Sequence, residues 1–294
     1  MTIRDILNQD KITISFEVFP PKAGLPLDSV MACTRRIAKL KPDFCSVTYG
    51  AGGGTSKNTV AIADQVQNEL GLTALAHFTG IASTRETVKE KCAELKSKGI
   101  QNVLALRGDM PNEEGFVPKK DFPHASDLMA EIKSQGDFCI GGACYPEGHV
   151  ESEDKHHDIK TLKIKQDAGA DFLISQMFFD NNIFYNFMYR LRDAGVTLPV
   201  LPGIMPLTNY KQIAHIKRIS GTNLPAQLLA IADKFHNDPM AMEQAGIVFA
   251  ANQIIDLIAN GIKGIHLYTM NKPQIVEGIM SNLDRIFTGS NPDA

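Results

Sequence analysis

Short apolar segments rich in β-branched and aromatic residues recur about eight times along the 294-residue chain, and helix-permitting stretches separate them. The predicted strands span residues Thr13 to Phe19, Phe44 to Tyr49, Ala74 to Thr79, Asn102 to Arg107, Phe138 to Tyr145, Phe172 to Phe179, Pro199 to Met205 and Gly264 to Thr269. Strands that alternate with amphipathic helices predict right-handed βαβ units and a parallel sheet. Eight units without an interrupting linker favour an α/β fold of the (βα)₈ (TIM) barrel type over a doubly wound sheet. We therefore expect residues 1–294 to form a single barrel domain.

The segments that connect these units are consistent with the same fold. Four predicted helices end at a glycine before the next strand, namely Gly99, Gly169, Gly195 and Gly261. Glycine past a helix end supplies the left-handed cap that turns the chain back toward the sheet. The longest irregular stretches, Pro111 to Pro123 and Glu147 to Asp154, follow strand ends, where the active-site loops of a barrel lie.

Composition narrows the class of protein. A hydrophobic fraction of 44%, a charged fraction of 21% and a net charge of -3 describe an ordinary globular enzyme-sized chain and give no reason to expect nucleic acid. No apolar run approaches the ~18 residues of a membrane-spanning helix, and no signal peptide precedes the first strand, so we expect a cytoplasmic protein without a membrane partner. Its five cysteines contain no Cys-x-x-Cys pair and are expected to be free thiols.

One carboxylate interrupts the first strand. Glu17 lies in the otherwise apolar run from Ile14 to Phe19, and by alternation it shares a face with Ser15 and Phe19. A carboxylate taken out of water responds with a raised pKa, which is what a general acid near neutral pH requires, so we predict an upward shift. The alternative is a sheet-edge carboxylate that is solvated or paired with Lys22.

Polar side chains end several other predicted strands. His77 ends the third strand, Arg107 and Asp109 flank Gly108 after the fourth, and Gln176 lies within the sixth. Because the carboxyl ends of barrel strands meet at one rim, we expect these side chains to lie near Glu17. The alternatives are a hydrogen-bonded core histidine at position 77 and a simple ion pair between Arg107 and Asp109.

Two further features are weaker signals. A glycine-rich loop follows Tyr49, but no dinucleotide fingerprint accompanies it, and a flexible turn explains it equally well. The group His149, His156, His157 and Asp158 suggests a metal site at first sight. Adjacent histidines do not share a helix face, so we expect no metal there.

Several motifs, in order along nearly the whole chain, resemble those of the flavin-dependent methylenetetrahydrofolate reductases. They span Ser15 to Pro21, Val47 to Gly53, Ala105 to Asp109, Ala143 to Glu147, Asp167 to Ala170, Gln176 to Asp180, Pro202 to Pro206 and Tyr268 to Asn271. The resemblance implies a (βα)₈ barrel that holds FAD at the strand carboxyl ends. It also implies ping-pong reduction of 5,10-methylenetetrahydrofolate to 5-methyltetrahydrofolate by NADH or NADPH, which supplies methyl groups for methionine synthesis.

The resemblance assigns roles to individual residues. Glu17 matches the family's general acid, and Asp109 matches the carboxylate that stabilises the iminium cation formed when the bridged ring opens. Cofactor-binding positions are matched by Thr48, Tyr49, Ala51, His77, Arg107, Gly108, Asp109, Ala125, Tyr145, His149, Asp158 and Lys165. Substrate-binding positions are matched by Asp109, Gln176, Gln212 and Lys272.

The chain also departs from the family pattern. Lys272 stands where members often carry Arg, so a point charge replaces a fork toward the folate tail. Thr161 and Ile164 replace more polar residues near the flavin's adenosine end, and the loop from Asn112 to His124 is long. We expect no carboxyl-terminal regulatory domain and no control by S-adenosylmethionine, while homo-oligomerisation is an expectation from the family.

Two other functions compete with a reductase. One is a flavin- or folate-binding barrel without activity, but a binder needs neither the acid Glu17 nor the carboxylate of Asp109. The other is a metal-dependent aldolase or lyase, which the missing ligand set disfavours.

Overall fold

The protein forms a barrel of parallel strands, seen here in a computed structural model that describes residues 1–21, 26–49, 56–110, 117–152, 154–213, 216 and 222–289. The strands are β1 (Thr13–Val18), β2 (Phe44–Val47), β3 (Thr73–Thr79), β4 (Asn102–Leu106), β5 (Cys139–Cys144), β6 (Phe172–Ser175), β7 (Val200–Leu201), β8 (Gly203–Ile204) and β9 (Gly264–Tyr268). The helices are α1 (Ile3–Leu7), α2 (Asp28–Ala38), α3 (Ser56–Asp64), α4 (Arg85–Ser97), α5 (Ala125–Ser134), α6 (Lys155–Asp167), α7 (Asn181–Asp193), α8 (Ala226–Phe235), α9 (Pro239–Ala259) and α10 (Pro273–Gly289). A five-residue π-helical turn, Gln65–Glu69, extends α3.

The sheet runs in the order β7-β6-β5-β4-β3-β2-β1-β9-β8, and every pairing is parallel. β7 and β8 are two halves of one segment, broken at Pro202, which has no N–H to donate. The first half pairs with β6 and the second with β9, so this single segment closes the barrel. The eight predicted strands and the (βα)₈ fold are thereby confirmed.

The amino-terminal helix α1 closes the lower end of the barrel. Its Ile3 and Ile6 are buried in a cluster with Phe44, Leu75, Leu104, Cys139, Phe172, Ile174 and Leu201, most of which lie near the amino ends of their strands. Asn102 fixes the helix, because its Oδ1 accepts the Ile3 amide at 2.8 Å and its Nδ2 donates to the Met1 carbonyl at 3.3 Å. The helix leaves the opposite rim, at the carboxyl ends of the strands, uncovered by α1.

The predicted glycine caps are confirmed, since all four glycines have positive φ, with Gly99 at +71° and Gly195 at +72°. All five cysteines are free thiols, as expected. Within the described ranges, no helix has both the length and the apolar character that a membrane span requires.

Candidate active site

Glu17 lies one residue before the end of β1 and is only 5% exposed. In the sheet register it stands beside Ser46 of β2 and Tyr268 of β9. Ser15, which shares its face of the strand, pairs with His266 in the same way. Alternation therefore brings a carboxylate, two hydroxyl groups, an imidazole and a phenol together inside the barrel, and the sheet-edge alternative for Glu17 is wrong.

Three side chains approach the Glu17 carboxylate, all at Oε2. The Ser46 hydroxyl donates to it at 3.2 Å, the His266 Nε2 lies 3.3 Å away, and the His77 Nε2 lies 3.4 Å away. All three are buried, with Ser46 and His266 fully inaccessible to solvent. The prediction that His77 and Glu17 lie together is confirmed.

The predicted upward shift of the Glu17 pKa is wrong for this arrangement. Burial does raise the pKa, but the hydrogen bond from His266, the electrostatic interactions with His77 and His266 and the hydrogen bond from Ser46 together outweigh burial and lower it. Burial also lowers the pKa of His77 to about 4, so this imidazole is neutral near neutral pH.

His266 is held from its other side by Ser15. The Ser15 hydroxyl lies 2.8 Å from His266 Nδ1 and 3.1 Å from the Ile265 carbonyl oxygen. The hydroxyl either donates to an Nδ1 that carries no hydrogen or, while it donates to the carbonyl, accepts a hydrogen bond from Nδ1–H. The Ser15 hydroxyl therefore accommodates either tautomer of His266.

Hydrogen bonds connect the backbone around Glu17 to the turn after β9. Thr269 Oγ1 donates to the Glu17 carbonyl, and the Asn271 side chain accepts from the Phe19 amide at 2.9 Å and donates to the Phe19 carbonyl at 2.7 Å. Met270 and Asn271 both adopt positive φ, at +51° and +53°, a conformation that costs non-glycine residues energy. The turn thus holds the end of β1 at the expense of local strain.

A second group of predicted residues follows β5. The Tyr145 ring meets His149 edge-on at 4.6 Å between centroids, and burial raises the pKa of Tyr145. Lys165 is 8% exposed and its Nζ donates to the Ala143 carbonyl at 2.7 Å, while burial lowers its pKa and the charge of Asp158 partly offsets that effect. Burial raises the pKa of Asp158 in turn, against the charge of Lys165. Lys165 is therefore a buried amine that donates to the Ala143 carbonyl and lies near the Asp158 carboxylate.

Arg107 pairs with a residue that was not predicted. Its Nη1 contacts Glu151 Oε2, so the expected alternative of an ion pair with Asp109 is wrong. Glu151 is itself oriented by its amide, which donates to His149 Nδ1 at 3.1 Å.

Gly108 has a φ of +89°, and a Cβ there would meet Thr79 and Ile81 at 3.0 Å, so the predicted bend after β4 does require glycine. Asp109 beyond it is exposed.

The remaining predicted residues line the rim. Gln176 follows β6, and its Oε1 accepts a hydrogen bond from the Met177 amide at 2.9 Å. This bond fixes the orientation of the side-chain amide. Tyr268 donates to the Ser175 carbonyl at 2.8 Å and stacks edge-on against His266 at 5.3 Å, which connects the Gln176 strand to the Glu17 cluster. Gln212 Oε1 accepts the Thr208 amide at 2.9 Å.

Comparisons with known proteins agree with the family that the sequence motifs resemble. The sequence model of the family described as methylenetetrahydrofolate reductase matches residues 2–284. The chain belongs to the methylenetetrahydrofolate reductase family. The 5,10-methylenetetrahydrofolate reductase of Pectobacterium carotovorum is 34% identical over 99% of this chain and 96% of its own length. For the Escherichia coli enzyme of that name the figures are 34%, 95% and 95%.

The family also contains longer chains. Methylenetetrahydrofolate reductase (NADH) 1 of Arabidopsis thaliana is 36% identical over 97% of this chain, and the chain spans about half the length of this and other plant relatives. Among solved structures, an uncharacterized Clostridium thermocellum protein that binds two copies of 5-methyl-5,6,7,8-tetrahydrofolic acid has a TM-score of 0.62 at 15% identity, over 98% of this chain and 99% of its own. That likeness concerns the fold alone.

The structure gives the positions of most of the other residues matched to this reductase family. Thr48 and Tyr49 follow β2, and Ala125 begins α5 and is buried. Lys272 lies half-buried between the strained turn and the start of α10. Ala51, Lys22 and residues 112–116 of the long loop lie outside the described residues. Ile164 is 56% exposed, and the Thr161 hydroxyl bonds to the His157 carbonyl at 3.1 Å.

Sequence reasoning assigned no role to four residues that the structure places around Glu17 or the end of its strand: Ser15, Ser46, His266 and Asn271. One signal was available for His266, which alternates with Tyr268 on an apolar strand and must therefore face the barrel interior with it. No local signal marked Ser46 or Asn271, because their partners are 29 and 252 residues away in sequence.

Proposed function

We propose that the chain reduces 5,10-methylenetetrahydrofolate to 5-methyltetrahydrofolate with electrons from NADH or NADPH, using FAD in a ping-pong reaction that supplies methyl groups for methionine synthesis. Family membership supports the reaction, and the plant relatives' names support NADH as a donor. The observation that carries the proposal is the buried Glu17 cluster at the carboxyl rim, since a carboxylate surrounded by two histidines is equipped to handle a proton.

The residues present fit a flavin dinucleotide. His77 Nε2 is buried and makes no hydrogen bond to any described residue, and a buried polar atom of this kind calls for a ligand partner. Lys165 and Arg107 supply cationic groups suited to a diphosphate, with Tyr145 and His149 between them as aromatic surface. The positive φ of Gly108 allows close approach of the backbone to a ring. The bound flavin would take a hydride from the nicotinamide and pass it to the folate's one-carbon bridge.

Opening the bridged folate ring requires a proton on the departing nitrogen, and we assign its delivery to Glu17. The lowered pKa means that this carboxylate is mostly ionised before substrate binds, so it has to acquire the proton. His266 Nε2 lies 3.3 Å from the carboxylate, and the Ser15 hydroxyl 2.8 Å from its Nδ1 can donate or accept there, so the ring is placed to relay a proton to Glu17. In this proposal Glu17 is the acid and His266 its proton source, and displacement of water by the folate favours the neutral carboxylic acid.

Asp109 and Gln176 act on the folate from the rim in this proposal. Opening the ring generates an iminium cation, and the Asp109 carboxylate stabilises that charge electrostatically. Gln176 offers its NH₂ to the polar edge of the pterin, because its carbonyl oxygen is already bonded to the Met177 amide. Lys272 attracts the anionic folate tail as a point charge.

Stopped-flow measurement of the two half-reactions tests the proposal. Glu17→Gln keeps the shape and one hydrogen-bonding oxygen but cannot donate an acidic proton. We expect flavin reduction by NADH or NADPH to be nearly intact and folate reduction to fall by about 10²–10⁴, the range that a positioned acid contributes. An equal loss in both half-reactions would reject Glu17 as the acid.

Anaerobic titration with each nicotinamide, followed by methylenetetrahydrofolate, identifies the donor. A preparation that is yellow but inert toward the folate would favour the flavin-binding barrel. A colourless preparation that cannot bind FAD would remove the reductase proposal altogether. Lyase chemistry has no support from shared fold, because the neighbouring 2,3-dimethylmalate lyase is only 10% identical at a TM-score of 0.55.

A further inference from the structure

The loop after β5, residues 145–152, carries a carboxylate that contacts Arg107 at the end of β4. Glu151 Oε2 forms an ion pair with Arg107 Nη1, and the two side chains are 55% and 33% exposed. The hydrogen bond with Arg107 lowers the pKa of Glu151, so this carboxylate is ionised at neutral pH. The guanidinium that the proposed flavin site assigns to a diphosphate is therefore already paired with an anion of the same chain.

A short turn at the outer end of this loop presents Glu151. The Ser152 amide donates to the His149 carbonyl at 2.9 Å, and the Glu151 amide donates to His149 Nδ1 at 3.1 Å. Val150 in the same turn is 66% exposed, so little of the protein covers the turn. An ion pair this open to solvent is weak, and the Glu151 carboxylate can exchange Arg107 for water by rotation of its own side chain.

The first half of the loop is fastened separately. The Glu147 carboxylate accepts the Asn223 amide at 3.0 and 3.2 Å, and Arg190 Nη2 donates to the Pro146 carbonyl at 3.2 Å. These bonds hold the part of the loop that carries Tyr145, and none of them involves the ion pair described above. Loss of that ion pair therefore leaves the aromatic side of the proposed cofactor site in place.

The charges at this rim favour an exchange of anions over the addition of one. Lys165 and Arg107 are the cations assigned to the diphosphate, and each has a carboxylate near it, Asp158 for the first and Glu151 for the second. When all four groups are ionised their charges cancel, so a doubly anionic diphosphate added among them would be repelled by Glu151. Departure of Glu151 into solvent removes this repulsion and frees the planar guanidinium for phosphate oxygens.

We propose that Glu151 is an internal competitor for the diphosphate of the cofactor. Its carboxylate holds Arg107 in the cofactor-free protein and leaves it when FAD binds, so Glu151 lowers the affinity for FAD and keeps the cofactor exchangeable. This inference rests on the proposed function, because it takes FAD as the ligand of the rim. Glu151 itself acts through Arg107 and has no part in the chemistry.

Titration of the cofactor-free full chain with FAD, followed by flavin fluorescence, tests this role. Glu151→Gln keeps the size of the side chain and removes its charge, and it should bind FAD about two- to fivefold more tightly than the wild type, the range for a solvent-open ion pair. Glu69→Gln is the matched control. It makes the same change in net charge and breaks the comparably exposed Arg35–Glu69 pair, which lies before β3 at the other end of the barrel. The control should bind FAD like the wild type.

The same titration in an Arg107→Gln background tests whether Glu151 acts through Arg107. Without the guanidinium there is nothing to compete for, so Glu151→Gln should then change the FAD affinity by much less than in the wild type. An undiminished gain in that background would overturn the proposal, as would a Glu151→Gln variant that binds FAD equally to the wild type or more weakly. A wild type that binds no FAD would instead reject the proposed function, so the two failures are distinguishable.

Discussion

The buried imidazole of His77, whose Nε2 makes no hydrogen bond to any described residue, should make the cofactor-free protein sensitive to mild acid. Its pKa is lowered from 6.5 to about 4 by burial, so on acidification the unfolded chain binds this proton well before the folded protein does. Stability is therefore lost as the pH falls below 6.5. For those two pKa values, linkage gives a loss of about 2.5 kcal/mol between pH 7.5 and pH 4.5. Glu17, whose pKa is also lowered, loses its own contribution only below its ordinary value of 4.5.

Urea unfolding of the cofactor-free protein at several pH values, followed by circular dichroism, measures this effect. Wild type and His77→Leu are compared, because leucine fills the site without titrating, and His156→Leu at an exposed position serves as the control. We expect the wild-type and His156→Leu stabilities to fall together, and the His77→Leu curve to be flatter by about 2.5 kcal/mol over the same range. Parallel curves for wild type and His77→Leu would refute the assignment of an unprotonated, buried His77.

Three further variants probe the rim and the base of the barrel. Asp109→Asn should retain flavin and slow the folate half-reaction by roughly 10- to 100-fold in single-turnover experiments, whereas a colourless variant would make Asp109 mainly a cofactor ligand. Asn271→Ala removes two hydrogen bonds to Phe19 and should cost about 1–3 kcal/mol in urea unfolding, with a loss of folate reduction that exceeds any loss of flavin reduction. Ile3→Ala creates a cavity beneath the barrel and should cost about 2–5 kcal/mol while leaving the flavin spectrum unchanged.

The fold was predictable because its determinants are local. Each βα unit carries its own apolar strand and helix period, and Gly99 or Gly195 marks a helix end within the unit. The sequence could not show that Pro202 divides the seventh strand into two halves that pair with different neighbours. That division depends on the closed barrel, because the segment has to reach both β6 and β9.

The sequence indicated several residues of the candidate site but not the ion pairs and hydrogen bonds that they form. Strand ends identified Glu17, His77 and Arg107, and the family pattern identified Lys165, but neither indicated that Arg107 would form an ion pair with Glu151. An ion pair between two loops depends on the conformation of both loops, and sequence periodicity carries no information about it. The same holds for the Asn271 clamp on Phe19.

The sign of the Glu17 pKa shift shows why burial alone is an insufficient argument. Sequence reasoning considered one cause, the desolvation of a carboxylate in an apolar strand, and burial does raise the pKa. The largest opposing cause is the hydrogen bond with His266, which lies 249 residues later and reaches Glu17 because β9 pairs with β1. Barrel closure therefore determines the protonation state of the proposed acid. In the proposed mechanism an acid that starts ionised needs a neighbour that passes it a proton, and we assign that role to His266, whose Nδ1 lies 2.8 Å from the Ser15 hydroxyl and whose Nε2 lies 3.3 Å from Glu17.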